Sequence, residues 1–206
     1  MLRPLPDSSI YAGAELLPAD AQGWHSDHEV FAHLIGQVQP KTIIEVGSWK
    51  GASALHMASL CSAKIYCVDT WLGSFEHDAH QEDPTSAITR DHGYPRLYHL
   101  FLSNVVRAGM QERIVPIPQT AVGGSRFLNA HRIRADLIYI DGDHLGFEPY
   151  RDITAYWGLL RNGGIMFGDD FGPQFPGVIA SVFRFAVEAG FNTEILDNNF
   201  WVFRKP

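Results

Sequence analysis

The stretch Thr42 to Ser53, TIIEVGSWKGAS, limits most tightly what this chain can become. Ile43, Ile44 and Val46, broken only by Glu45, read as a buried strand, and Gly47, Ser48 and Gly51 turn it into a helical run from Ala52 to Leu60. Glycines at a strand-to-helix turn let backbone come close to a ligand, and the start of the helix offers unpaired N–H groups. A dinucleotide site carries G-x-G-x-x-G there to cradle a pyrophosphate. Here only G-x-x-x-G is present, and the carboxylate of Glu45 precedes it. A negative charge in that place suits a ligand with a cationic end. The same glycines would also serve tight strand–helix packing alone, so a second landmark matters. Ile65 to Val68 is another short apolar run, and it ends in Asp69. That is roughly 20 residues past the turn, where a nucleoside-binding α/β unit places the acid that accepts from ribose hydroxyls.

At 206 residues and 46% hydrophobic content the chain suits one α/β domain with a sizeable core. A formal charge of −7 works against nucleic-acid binding, which needs clustered Lys and Arg, and points to a small-molecule substrate. The two cysteines, Cys61 and Cys67, do not form a C-x-x-C pair, and Cys67 lies inside an apolar run. Core packing explains them better than redox or metal chemistry, and a reducing cytoplasm suits them. No leader-like segment and no apolar run near the ~20 residues of a membrane span is visible, so we expect a cytoplasmic protein without membrane contact. Self-association into a homo-oligomer stays open.

Residues 1 to 22 contain Pro4, Pro6 and Pro18 without a period, which predicts an irregular arm ahead of a domain spanning 23 to 206. Ser26-Asp27-His28-Glu29 has the form of a capping box, and Val30, Phe31, Leu34 and Val38 continue it at helical spacing until Pro40. Trp24 and His25, just before it, either border the ligand site or pack as a hydrophobic staple. Residues 70 to 94 show no period, and loops so long usually have a job. With Trp71, Phe75, Glu76, His77, His80, Asp83, His92 and Tyr94 in it, we read this loop as a substrate lid. A metal site on His77 and His80 is a sharper alternative, weakened by the lack of cysteines or a fixed helix.

A helix packing Leu97, Phe101 and Val105 follows, then a strand from Arg113 to Ile117, with Gln119-Thr120-Ala121 after it. The strand Asp136 to Ile140 ends in Asp141-Gly142-Asp143-His144. Tyr150, Ile153, Trp157 and Leu160 then repeat at helical intervals, and Asn162-Gly163-Gly164 is expected to end that helix. A fifth strand, Ile165 to Phe167, ends in Gly168-Asp169-Asp170, and a last helix carries Val178, Val182, Phe183 and Ala186 up to Gly190. Two final runs flank Asp197-Asn198-Asn199, whose residues tolerate positive φ and so predict an antiparallel terminal hairpin.

Ligands gather at the carboxyl ends of strands in an open parallel sheet, and there this chain puts Asp141, Asp143, His144, Asp169 and Asp170. Adjacent strands are about 4.8 Å apart, so acids ending two neighbours can share one ion. Hard oxygen ligands suit Mg²⁺, beside which a hydroxyl loses its proton more easily. The other possibility is that these acids are solvated turn residues, and His144 a cap for the helix near Phe147.

IIEVGSWKGAS, YCVDTW, YIDGDH and GGIMFGDD, in this order, resemble the metal-dependent small-molecule O-methyltransferases of the class I S-adenosylmethionine (SAM) family. These are relatives of macrolide-sugar and cephalosporin-biosynthesis enzymes, and the likeness runs over roughly residues 24 to 204. It implies a single-domain Rossmann-like fold, a seven-stranded mostly parallel sheet ending in an antiparallel hairpin. It also implies methyl transfer from SAM to a hydroxyl of a small molecule such as a sugar. By the same likeness Glu45, Gly47, Ser48, Ser53 and Asp69 contact SAM. Gly51 and Gln119, and Asp141 from strand four, complete the cofactor set. Asp141, Asp169 and Asp170 would hold Mg²⁺, and His144 would be the general base. The chain departs from the pattern in its short N-terminus and in the loop after Asp69. Two rivals are an NAD-type Rossmann oxidoreductase, disfavoured by the missing second glycine and the terminal hairpin, and a noncatalytic SAM-binding module. Nucleic-acid methylation is a third, against which stand the charge and the absence of an N/D-P-P-Y/F tetrapeptide. No G-x-S-x-G elbow supports hydrolase chemistry.

Overall fold

The computed structural model describes residues 2–74 and 88–206. Its helices are α1 (Glu29–Val38), α2 (Ala52–Leu60), α3 (Leu97–Arg107), α4 (Ala121–Ala130), α5 (Glu148–Trp157) and α6 (Pro176–Ala189). The main sheet holds β1 (Thr42–Val46), β2 (Lys64–Asp69), β3 (Ile114–Pro118), β4 (Ala135–Ile140), β5 (Leu160–Gly168), β6 (Glu194–Leu196) and β7 (Phe200–Arg204). Their order across the sheet is β3-β2-β1-β4-β5-β7-β6. All pairings from β3 to β5 are parallel, whereas β7 pairs antiparallel with both β5 and β6. Strand order reverses beside β1, so the carboxyl ends of β1, β2, β4 and β5 share one edge where an open α/β sheet binds ligands.

Alternation along the strands divides the core. Leu137 and Tyr139 of β4 join Phe31, Met57 and Phe101 on the face covered by α1 to α3, while Ile138 and Ile140 join Tyr156, Val182 and Phe203 on the face covered by α4 to α6. In β7, Phe200 and Val202 face the first layer, and Trp201 and Phe203 the second. Period-two alternation with both faces apolar is what a sheet buried between two helix layers requires. Phe31 is wholly buried and meets Tyr139, Phe167 and Phe200 at 5.0, 5.4 and 6.2 Å between ring centroids. Truncating such a ring to alanine typically costs about 3–5 kcal/mol. The hairpin turn has Asp197 and Asn198 at φ 48 and 55, the paired positive angles that the Asp-Asn-Asn run permits.

Several expectations need correction. α1 is not capped by Ser26: it begins at Glu29, and the Nδ1 of His28 accepts from the Val30 N–H at 3.3 Å. His25 lies in the left-handed region at φ 49, which turns the chain before Ser26 can start a helix. α5 ends at Trp157, so Asn162-Gly163-Gly164 does not terminate it but lies inside β5, which starts at Leu160. α4 was not legible at all. Two adjacent glycines and a weak apolar period hide it, although Thr120 caps it by accepting from the Gly123 N–H at 3.2 Å. β3 is displaced one residue from the expected Arg113–Ile117.

The N-terminal segment holds a 3-10 turn at Ser8–Tyr11, and Tyr11 is buried with its hydroxyl donating to the Ile114 carbonyl at 2.9 Å. The expected lid at 70 to 94 lies mostly outside the described residues, with Phe75, Glu76, His77, His80 and Asp83 among those not described. Of its ends, Trp71 is buried, and a two-residue hairpin, Arg90–Asp91 against Tyr94–Pro95, carries the exposed His92 and Tyr94. Among the described residues no helix is long and apolar enough to cross a membrane.

Candidate active site

At the β1 end, Glu45 is fully buried, and each carboxylate oxygen accepts from one serine: Ser48 Oγ at 2.5 Å and Ser53 Oγ at 2.6 Å. Burial pushes its carboxyl up to about 7 despite the pull of these two hydroxyls. Asp69, ending β2, accepts on Oδ2 from the Ser48 and Trp49 N–H groups at 2.9 and 2.8 Å, and on Oδ1 from the Trp71 N–H at 2.6 Å. Burial raises its carboxyl too, against those three backbone donors. The turn thus folds around two carboxylates that spend most of their acceptor capacity on it. Gly51 caps α2 at φ 91, and the Gln119 N–H donates to the Asp69 carbonyl at 3.0 Å, placing Gln119 beside the β2 end.

Gly47 joins this turn to the rest of the edge. Its φ is 84, and a Cβ there would lie 1.8 Å from the Asp141 carbonyl oxygen. No other residue fits that crossing, so the turn glycine serves strand packing as well as ligand approach.

The β4 and β5 ends carry the second acidic group. Asp141 accepts from the Tyr139 hydroxyl at 3.1 Å. Asp169 is 4% exposed, and its side-chain hydrogen-bond partner is another acid, Asp141. Burial and the charges of Asp141 and Asp170 push the Asp169 carboxyl well up, and burial raises Asp141 as well. His144 does not cap α5, whose N-cap is Phe147. Its Nε2 instead lies 2.7 Å from Asp170 Oδ2 and 3.8 Å from Asp141 Oδ1. Burial opposes charge on this imidazole, but the hydrogen bonds to Asp141 and Asp170 win and push it up to about 11. Asp141, His144 and Asp170 present ligand atoms within 4.8 Å of one another, and so do His25, Asp169 and Asp170. Carboxylates that converge in this way, with an imidazole beside them, fit a hard divalent cation. Asp143 turns away: its Oδ1 accepts from the Leu145 N–H at 2.8 Å in an exposed loop.

Residues 44–171 match the methyltransferase domain family. The chain belongs to that family. Solved structures of similar fold include the SAH-bound Podospora anserina methyltransferase PaMTH1, with TM-score 0.63 at 16% identity over 98% of this chain and 89% of that one. The O-methyltransferase from Bacillus cereus in complex with SAH aligns at TM-score 0.61 and 15% identity, over 96% and 88% of the two chains. The calicheamicin methyltransferase CalS11 aligns at TM-score 0.62 and 20% identity, over 85% and 77%. No curated protein matches the sequence.

Sequence reasoning missed three supports of this candidate site. Tyr139 reads as a core aromatic, and it does stack on Phe167 at 4.8 Å, but its hydroxyl also orients Asp141. Lys50, inside the glycine turn, is 1% exposed and meets Asp20 Oδ2 at 2.8 Å. Asn104 of α3 donates to both the Asp20 and Lys50 carbonyls, at 2.8 and 2.9 Å, which straps the N-terminal segment across the turn. Only the alternation of β4 hinted at Tyr139. Nothing local marks the Lys50–Asp20–Asn104 set, whose members are far apart in sequence.

Proposed function

We propose that this chain is a SAM-dependent O-methyltransferase acting on a hydroxyl of a small molecule, with Asp141, Asp169 and Asp170 holding a divalent ion and His144 as the general base. The observation that carries the reading is the pairing, on one sheet edge, of a glycine turn braced by two carboxylates with a cluster of three aspartates against one histidine. Solved O-methyltransferases of like fold support it, among them one described as a TDP-rhamnose 3'-O-methyltransferase, which favours a sugar or similar polyol as acceptor.

SAM would be held by the turn from Glu45 to Ser53 and by Asp69, with Gln119 toward the adenine. Glu45 shapes the turn through its two serines and places negative charge behind it. Asp69, although it accepts three backbone N–H groups, keeps acceptor capacity on Oδ1 for a ribose hydroxyl. A divalent ion, Mg²⁺ or a relative, supplies when bound the positive charge that makes a neighbouring hydroxyl more acidic. His144 keeps its own proton, and is charged, while Asp141 and Asp170 accept hydrogen bonds from it. Once those carboxylates are neutralised otherwise, it becomes neutral and can accept a proton from the acceptor hydroxyl. The new O–C bond forms as the S–C bond breaks, the proton passes to His144, and S-adenosylhomocysteine (SAH) leaves. General-base catalysis is typically worth about 10²–10⁴-fold, so His144→Ala should lose on that order of rate and regain part of it at high pH.

The test measures SAH binding by calorimetry and then SAH release across a panel of hydroxylated acceptors, with and without EDTA. Tight NAD binding with no SAH binding would overturn the cofactor assignment. Full turnover after EDTA would remove the metal, and a His144→Ala enzyme as fast as the parent near neutral pH would remove the base.

A further inference from the structure

A second imidazole stands by the aspartate cluster. His25, in the segment between the N-terminal arm and α1, presents a ring nitrogen that lies with the Asp169 and Asp170 carboxylate oxygens inside a 4.8 Å cluster. Asp170 belongs to both clusters. His144 is partly buried, whereas His25 is exposed.

Packing holds His25 in place. Gly23, two residues earlier, has no room for a side chain: a Cβ there would fall 2.7 Å from Ser26 Oγ and 2.9 Å from the Ala52 Cβ at the start of α2. The Trp24 ring lies 6.0 Å from that of Trp49 in the glycine turn, and Trp49 Nε1 donates to Gln22 Oε1 at 3.2 Å. The His25 ring itself meets Phe200 edge-on at 6.4 Å. These contacts pin both sides of residue 25 against the sheet edge. The buried carboxylate at the centre of this group is Asp169, which is 4% exposed and has an acid as its side-chain hydrogen-bond partner. An acid so enclosed, with an imidazole and a second carboxylate near it, presents a donor set that fits a cation.

We infer that His25 is itself a ligand of the divalent site, which makes the donor set mixed nitrogen and oxygen and shifts its preference from Mg²⁺ to a first-row transition ion. The inference rests on the reading of the aspartates as metal-holding. Mg²⁺ takes oxygen donors and keeps its waters, whereas imidazole suits transition ions, and affinity for such mixed sites rises from Mn²⁺ through Fe²⁺ to Co²⁺. His25 thereby ties the metal preference to the segment that also borders the cofactor turn.

Co²⁺ is the probe, because its visible absorption changes with nitrogen ligation. The EDTA-stripped full chain, His25→Ala and His144→Ala are each titrated with Co²⁺ and with Mg²⁺, and SAH calorimetry on each serves as the folding control. Changing even a partner of a metal ligand costs 10–100-fold in affinity. His25→Ala should therefore lose at least about tenfold in Co²⁺ affinity, alter the absorption band, and keep its Mg²⁺ and SAH affinities. The parent should prefer Co²⁺ to Mg²⁺. If His25→Ala binds Co²⁺ with the parent's affinity and spectrum, His25 is not a ligand, though the metal reading stands. If the parent binds neither ion, the metal reading itself fails and takes this inference with it. A parent that binds Co²⁺ but not SAH would count against the methyltransferase reading and leave the His25 result to be judged on its own spectrum.

Discussion

The two acidic groups on the sheet edge are built from the same residue type and solve the same problem in opposite ways. Glu45 and Asp69 are answered from inside the fold, by two serine hydroxyls and three backbone N–H groups. Asp141, Asp169 and Asp170 face one another, with one tyrosine hydroxyl and His144 between them. A carboxylate that is fully hydrogen-bonded rigidifies its surroundings, and one left facing its own kind is held ready for a cation. The first group therefore reads as the frame of the glycine turn, and the second as a donor set that fits a cation. Burial is similar in both, so the distinction lies in who donates to the oxygens.

Breaking the link between the two groups should have the largest effect. Gly47→Ala drives a Cβ into the Asp141 carbonyl, where the turn crosses the end of β4. We expect a loss of more than about 4 kcal/mol in urea unfolding, with SAH and metal binding failing together. A variant that stays stable and loses only one of the two functions would show that the groups are independent.

Next is a pH effect confined to the first group. The Glu45 carboxyl rises from 4.5 to about 7 on folding, so the folded state holds its proton more tightly than the unfolded state. Its contribution is intact below about pH 4.5 and is lost as pH rises through about 7, which amounts to roughly 3 kcal/mol across that window. Unfolding curves at pH 5 and pH 8 should show the parent falling by that much more than Glu45→Gln. Equal slopes would mean that the serines, not burial, dominate at Glu45.

In the second group, Asp169→Asn keeps the shape and removes the charge. The metal-free protein should gain about 1–2 kcal/mol at pH 8 while Co²⁺ binding disappears, because replacing a buried group that resists ionisation is often stabilising. A loss of stability would place Asp169 with the frame instead. The smallest effect belongs to Tyr139→Phe, which removes the hydroxyl that orients Asp141 but keeps the ring on Phe167. A cost of about 1 kcal/mol, seen as a several-fold weaker metal titration with SAH affinity unchanged, is expected.

The sequence by itself determined the strand–turn–helix at Thr42 to Leu60, the acid ending β2, the apolar β4 and β5 with aspartates at their ends, and the terminal hairpin. All of these are local: an apolar run, a glycine at a turn, Asp and Asn where φ must be positive. Local signals misled where they competed, as at Asn162-Gly163-Gly164, which has the composition of a helix stop but lies in β5, at a register shift against β4 and tied to Lys205 just past β7, whose carbonyl accepts from the Gly163 N–H at 2.9 Å and whose N–H donates to the Gly164 carbonyl at 3.0 Å. They were too weak at α4, which stands on tertiary packing and one threonine cap. What only the tertiary structure decided is the partner of each charged group. That Glu45 is met by serines, that Lys50 is buried against Asp20, and that His144 and His25 both come near Asp170 depend on which strand ends lie side by side. Strand order is fixed by long-range pairing, and a linear pattern carries the donors without saying which acid each will meet.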